Sequence, residues 1–213
     1  MKQNPELYRV YAITDRKRLN GKTLETAVEE AILGGVTLIQ IREKNISEEE
    51  YIKRTRSLLE ITRKYNVPLI VNDNIDVALK SGADGVHLGQ DDLPSGGIRK
   101  KLGDKLILGV SAHNVEEALR AQELGADYLG SGAVFPTSSK NDVSCMKHET
   151  LKNICASVNI PVVGIGGITR DNIKALAGSG IAGVSVISAV FAAENIKAAA
   201  AALSEEVNKI IQR

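Results

Sequence analysis

Short apolar runs alternate with longer stretches whose apolar positions recur every three or four residues, from one end of the chain to the other. The short runs span 9–14, 38–42, 69–72, 85–88, 106–111, 128–131, 162–165 and 183–187. Several are apolar at successive positions, the mark of strands covered on both faces in a parallel sheet. Between them the pattern turns helical. Over 23–33, Thr23 stands before Leu24, Ala27, Val28, Ala31 and Ile32, one apolar face behind a capping residue. Ser47-Glu-Glu-Glu50 reads as a capping box that opens a helix through 51–65. Stretches 114–124 and 169–177 repeat the form, each with a capping residue in front and a glycine near the far end. The alanine-rich 192–211 makes a last helix.

Eight strands separated by seven mostly helical segments, with a closing helix, predict an α/β fold of the (β/α)8 TIM barrel type, a single domain over 1–213. An internal repeat points the same way. Gly35-Val-Thr-Leu-Ile-Gln40, Gly82-Ala-Asp-Gly-Val-His87, Gly125-Ala-Asp-Tyr-Leu-Gly130 and Gly180-Ile-Ala-Gly-Val-Ser185 share a frame. In each, the glycine ends a helix and a strand starts a few residues later, ahead of the second, fourth, sixth and eighth strands. A four-fold β-α-β-α repeat fits a closed barrel better than a doubly wound sheet, whose strand order reverses in the middle. No composition break or Pro/Gly-rich linker divides the chain.

Composition narrows the classes of function. Hydrophobic residues make up 43% and charged residues 25%, the balance of a soluble globular protein. The apolar runs are too short to span a bilayer, and the opening MKQNPELYRV has no apolar segment of the signal-peptide kind. Lys and Arg number 27 against 26 Asp and Glu, for a net charge of +1, which lacks the basic excess that nucleic acid demands. Aromatic residues are 3%, with no Trp. That predicts a barrel interior of Ile, Leu, Val and Ala and denies the protein an aromatic stacking platform. Cys145 and Cys155 form no CxxC pair and are too few to staple the fold, so a reducing cytoplasm is the expected home.

In a barrel of this kind, chemistry sits where strand C-termini meet the following loops. Polar residues gather there. Gln40, Arg42 and Lys44 alternate with period two and should point together into the mouth, where two cations call for an anion. Asn72 and Asp73 follow the third strand, Asp91 and Asp92 the fourth, Ser111 and His113 the fifth. Thr137, Ser139 and Lys140 bring two hydroxyls and a third cation to the loop after the sixth strand, which has the makings of a lid. Gly166 and Gly167 end the seventh strand and Ile187-Ser188 the eighth, the usual phosphate position of the fold, with Thr169 opening the next helix. Asp73 and Asp92 beside these cations suggest a Mg²⁺ ion bridging to phosphate; either Asp73 or Asn74 could instead cap the helix at Ile75. His87 reads as a hydrogen-bonded interior residue, His113 as a rim residue and His148 as solvated. No Ser-His-Asp ordering, HExxH or GxGxxG unit is present.

These motifs, together with Tyr11-Ala-Ile-Thr-Asp15, Gln40-Ile-Arg-Glu-Lys44, Val71-Asn-Asp-Asn74, Gly85-Val-His-Leu-Gly-Gln-Asp-Asp-Leu93, Gly132-Ala-Val-Phe-Pro-Thr-Ser-Ser-Lys140 and Gly164-Ile-Gly-Gly-Ile168, resemble the thiamine-phosphate synthase family from about Tyr11 to Val190. The resemblance implies a Mg²⁺-dependent transferase. It would join 4-amino-2-methyl-5-hydroxymethylpyrimidine diphosphate to 4-methyl-5-(2-hydroxyethyl)thiazole phosphate, giving thiamine phosphate and pyrophosphate. It assigns the diphosphate to Arg42, Lys44, Asn72 and Lys140, with Gln40 and Ser111 nearby. It assigns one Mg²⁺ per subunit to Asp73 and Asp92, and the thiazole phosphate to Thr137, Ser139, Gly167, Ile187 and Ser188. Segment 143–150 departs from the family's smoother, glycine-containing entry to the next helix. Two other readings stay open: a thiazole tautomerase on the same barrel, which would use a His for acid-base work, and a non-catalytic barrel that binds a phosphorylated metabolite. Phosphorylated small molecules are the expected partners, not nucleic acid or membrane, with a homo-oligomer left open.

Overall fold

The structure, a computed structural model, describes residues 4–94, 97–137 and 145–211. Eight parallel strands close into a barrel in sequence order: β1 (Val10–Ile13), β2 (Leu38–Ile41), β3 (Leu69–Asn72), β4 (Gly85–Leu88), β5 (Ile107–Ser111), β6 (Tyr128–Gly132), β7 (Val162–Ile165) and β8 (Gly183–Val186). The last strand pairs back on the first with Tyr11 beside Ser185. Each apolar run of the sequence has become a strand, with ends moved by a residue or so.

Around the barrel run α1 (Leu24–Leu33), α2 (Glu48–Lys64), α3 (Ile75–Ser81), α4 (Ile98–Leu102), α5 (Val115–Glu123), α6 (His148–Ser157), α7 (Ser188–Phe191) and α8 (Ile196–Ile211). Thr23 and Asn114 cap α1 and α5 through their side chains, as their positions predict. The four repeat glycines, Gly35, Gly82, Gly125 and Gly180, all hold left-handed backbone (φ 98°, 78°, 84° and 85°), which explains the shared frame.

Three helix expectations need correction. The capping box at 47–50 is half formed. Ser47 Oγ accepts the Glu50 N–H at 3.2 Å, but the Glu50 carboxylate turns forward to Arg54 at 2.7 Å. Stretch 169–177 carries only a 3-10 turn at Ile173–Leu176. There Asn172 Oδ1 accepts the Thr169 N–H and its Nδ2 donates to the Gly167 carbonyl, both at 2.8 Å; an asparagine that bonds the local backbone competes with the helix. The closing helix starts at Ile196 rather than 192, because α7 forms first and Asn195 Oδ1 accepts the Ala198 N–H at the new start.

Strand alternation splits the apolar residues into two cores. Val10, Ile39, Val71, Val86, Leu108 and Leu129 face the helices. Tyr11, Leu38, Ile70, Ile107, Tyr128 and Val163 face inward. The expected all-aliphatic interior is wrong: three of the chain's five tyrosines, Tyr8, Tyr11 and Tyr128, fill it. Glycines on neighbouring strands make the room. A methyl group on Gly109 would stand 2.2 Å from the Tyr128 ring. Tyr8 arrives from a 3-10 helix at Pro5–Tyr8 that plugs the N-terminal end of the barrel. The cavities among the described residues open at the other, C-terminal end of the strands. Among the described residues no helix is long and apolar enough to cross a membrane.

Candidate active site

The mouth holds two connected cavities that share His87, Ser111, His113, Gly130, Ile165, Ser185 and Ile187 along their common border. The larger, about 440 Å³, takes in Gln40, Arg42, Lys44, Asn72, Asp73, Asp92 and Ser111. The smaller takes in Thr137, Gly166, Gly167, Ile187 and Ser188. The structure therefore brings together every predicted site residue that it describes; Ser139 and Lys140, with the expected lid, lie outside the described residues. So does the first part of segment 143–150; its remainder leads into α6 at His148.

The charged side is built at the ends of β2, β3 and β4. Although β2 stops at Ile41, Gln40, Arg42 and Lys44 all border the large cavity, as their spacing predicts. The alternating partner Glu43 turns outward to Arg54 at 2.7 Å. Two hydroxyls hold this edge in place. Thr14 Oγ1 accepts the Arg42 N–H at 3.0 Å. Tyr51, buried on α2, donates to the Ile41 carbonyl at 2.9 Å and accepts the Asn72 N–H at 3.3 Å, tying the ends of β2 and β3 together.

Asn74, not Asp73, caps α3, accepting the Val77 N–H at 2.9 Å. Asp73 is left to the mouth in a left-handed conformation (φ 62°), costly for a non-glycine residue and characteristic of functional sites. Its Oδ2 lies 2.8 Å from Lys44 Nζ. Burial disfavours the Asp73 carboxylate, yet the Lys44 contact holds it below the usual range. Asp92 hydrogen-bonds to Asp73 and is pushed the other way, first by burial and then by the Asp73 charge. Asp91 and Asp92 do not continue the strand, because Gln90–Asp92 is a 3-10 turn. Successive side chains on such a turn diverge by about 120°, and it is Asp92 that turns back, its Oδ2 accepting the Gly89 N–H at 3.3 Å.

Among the described residues no three His, Cys, Asp or Glu side chains gather as a metal site. The two carboxylates nevertheless suit Mg²⁺, which takes one or two carboxylates and completes its shell with water and phosphate oxygens. A carboxylate pair forced together, one of them with raised proton affinity, is an oxygen donor set that a hard cation would relieve.

The opposite side is built from backbone. Phe135 N–H bonds the Gly166 carbonyl at 3.1 Å, so the strand-6 loop lies against the glycines. A methyl on Gly167 (φ 63°) would stand 2.3 Å from the Pro136 carbonyl oxygen. Ile187 caps α7 and Ser188 is its first residue. Amides at a helix start have no intrahelical acceptor and favour anions.

Between the two sides runs a chain of side-chain hydrogen bonds. Gln40 Nε2 donates to Tyr11 Oη, which lies 2.8 Å from Tyr128 Oη. Tyr128 Oη is 2.9 Å from His87 Nδ1, and His87 Nε2 is 3.0 Å from Ser111 Oγ. Burial pushes both tyrosine hydroxyls well above their ordinary range, so they keep their protons. His87 is thus the interior residue expected of it. His113 sits on the rim, 2.8 Å from Glu117, and His148 is exposed against Phe135.

Residues 10–190 match the family model described as thiamine monophosphate synthase. The chain belongs to the thiamine monophosphate synthase family. Among its relatives in this family, the chain is 49% identical over 200 residues to the thiamine-phosphate synthase of Clostridium tetani, covering 94% of this chain and 96% of that one. It is 51% identical over 198 residues to that of Ruminiclostridium cellulolyticum, covering 93% and 94%. The solved thiamine phosphate pyrophosphorylase of Pyrococcus furiosus superposes with a TM-score of 0.87 at 41% identity, over 97% of this chain and 98% of that one.

Within this family barrel, sequence reasoning missed the support behind the site. Tyr51 read only as a helical position and Tyr128 only as a strand residue. Ser185, 2% exposed, borders both cavities, and its hydroxyl has no partner among the described residues. A serine inside an apolar strand gave no signal of that; inward direction did, once the barrel register is known.

Proposed function

We propose that this chain is a thiamine-phosphate synthase, joining 4-amino-2-methyl-5-hydroxymethylpyrimidine diphosphate to 4-methyl-5-(2-hydroxyethyl)thiazole phosphate. The observation that carries this reading is one continuous mouth with Arg42, Lys44, Asp73 and Asp92 on one wall and a backbone-built cradle at Gly167, Ile187 and Ser188 on the other. That is room for a diphosphate and a monophosphate at once.

In the reaction, the methylene C–O bond breaks and the diphosphate leaves with its electron pair. A C–N bond then forms from the thiazole nitrogen, and no proton needs to move. The pyrimidine amine feeds electrons to the methylene carbon and makes a cation-like path accessible. Arg42, Lys44 and Asn72 meet the charge gathering on the leaving group, joined by Lys140 of the strand-6 loop on the strength of the family resemblance. Asp73 and Asp92 would hold Mg²⁺, which when bound supplies charge neutralisation at the diphosphate. Thr137, Gly167, Ile187 and Ser188, with Ser139 on the strength of the resemblance, hold the thiazole phosphate and so align its nitrogen. Positioning and electrostatics of this kind lower barriers without a nucleophile or strong base.

A tautomerase would use a histidine for acid-base work and has no need of the carboxylates and cations Asp73, Asp92, Arg42 and Lys44 that line this mouth, which favours the synthase. We place the reaction in the cytoplasm, a reading supported by two free cysteines. The test is one incubation: purified protein, both substrates and Mg²⁺. Thiamine phosphate and pyrophosphate in equal amounts support the synthase. Binding without product supports a non-catalytic barrel and rejects it.

A further inference from the structure

The hydrogen-bond chain across the mouth has a direction. Gln40 Nε2 can only donate, so Tyr11 Oη accepts from it, and the setting that leaves no buried proton of the chain unmatched has Tyr11 donating its own to Tyr128. Tyr128 then donates to His87 Nδ1. That leaves the imidazole proton on Nε2, from which it is donated to Ser111 Oγ. At the two ends, the Gln40 carbonyl oxygen remains as an acceptor and the Ser111 hydroxyl proton as a donor, and both residues border the same cavity. Turning the Gln40 amide over would reverse every bond in the chain, so its five members from five strands share one setting. Packing keeps them in line. Tyr11 and Tyr128 are 2% and 0% exposed. Tyr11 meets Tyr128 edge-on at 5.7 Å, and Tyr8 covers the same ring at 4.8 Å.

We propose that Tyr11, Tyr128 and His87 are positioning residues that hold this direction, so that the mouth selects a ring edge bearing an amine beside a ring nitrogen over the same ring bearing an oxo group beside an N–H. The amine would donate to Gln40 and the ring nitrogen accept from Ser111. The oxo ring would set acceptor against acceptor and donor against donor, and unmatched buried polar groups are where recognition sites discriminate most. The proposal rests on the aminopyrimidine substrate named above and adds what enforces the choice.

Because the amine also affects reactivity, the readout is binding. Non-hydrolysable diphosphonate analogues of the 4-amino and 4-oxo pyrimidines are titrated calorimetrically into wild type, Tyr11→Phe and Tyr128→Phe, with inorganic pyrophosphate as the reference. Each Phe keeps the ring and its packing while cutting the chain. Wild type should prefer the amino analogue by about 100-fold or more. Both variants should lose roughly tenfold of that ratio while pyrophosphate binds as before. If either variant fails to fold, His87→Asn cuts the chain from the mouth side and should lower the ratio likewise. An unchanged ratio in folded variants overturns the proposal while leaving the synthase reading intact, since wild type still makes thiamine phosphate. A fall accompanied by weaker pyrophosphate binding also overturns it, marking general damage to the mouth. Wild type that makes no thiamine phosphate and shows no preference removes both.

Discussion

Along the β2–β3–β4 wall the mouth is made of side-chain charge: Arg42, Lys44, Asp73 and Asp92, with Lys44 and Asp73 paired at 2.8 Å. Along the β7–β8 wall it is made of backbone: Gly166 and Gly167, then the start of α7 at Ser188. Both suit phosphate, but they are held differently. The charged wall stands on long side chains whose placement depends on partners such as Thr14 and Tyr51. The backbone wall stands on dihedral angles and on carbonyls packed against Gly167. The first should therefore answer to charge and metal, the second to shape.

Four experiments can break or sharpen that contrast. The largest effect is expected from chelation. Excess EDTA should abolish thiamine phosphate formation and added Mg²⁺ restore it; full activity in chelator would strip the Asp73–Asp92 pair of its proposed role. Next, Arg42→Ala should lower kcat by roughly 10²–10³, the cost of losing an electrostatic donor in a closed site. His87→Asn should stay within about tenfold of wild type, the scale of a hydrogen bond or two, with an unaltered pH profile. A folded but inactive His87→Asn protein would bring acid-base chemistry back.

On the backbone wall, Gly167→Ala leaves every charge in place yet puts a methyl 2.3 Å from the Pro136 oxygen at φ 63°. Strain of that kind costs about 1–3 kcal/mol, so KM for the thiazole phosphate should rise roughly 10- to 100-fold while KM for the pyrimidine diphosphate holds. Equal effects on both substrates would erase the distinction between the walls. The smallest effect separates two neighbours. Asp92→Asn should shift the Mg²⁺ titration to higher concentration by about tenfold, since even the loss of an outer-shell partner commonly costs that much. Asp91→Asn should leave it in place. The reverse pattern would shift the metal assignment by one residue.

The residues that were legible in advance share a local signature. Gln40, Arg42 and Lys44 announce themselves by period two, which survives into the cavity even though the strand ends at Ile41. Asn74 and Asp73 were competing caps, and no local pattern decides between them. The choice fell to Asn74 because Lys44, 29 positions earlier, draws Asp73 the other way. The helix expected over 169–177 fails for a related reason: the Asn172 amide reaches back to the Gly167 carbonyl.

Apolar runs of four to six residues, spaced by amphipathic helices and punctuated by glycines at every second strand, were enough to determine the closed barrel and which ends of its strands carry the chemistry. Burial on both faces and glycine-terminated helices are local demands, written residue by residue. Closure decided the rest. Only when β8 pairs with β1 do Tyr8, Tyr11 and Tyr128 share an interior, and only then do Gln40 and Ser111 become the two ends of one hydrogen-bond chain. Those residues lie on strands far apart in sequence. Their meeting depends on barrel register and on the room left by Gly109, and no window of sequence contains either.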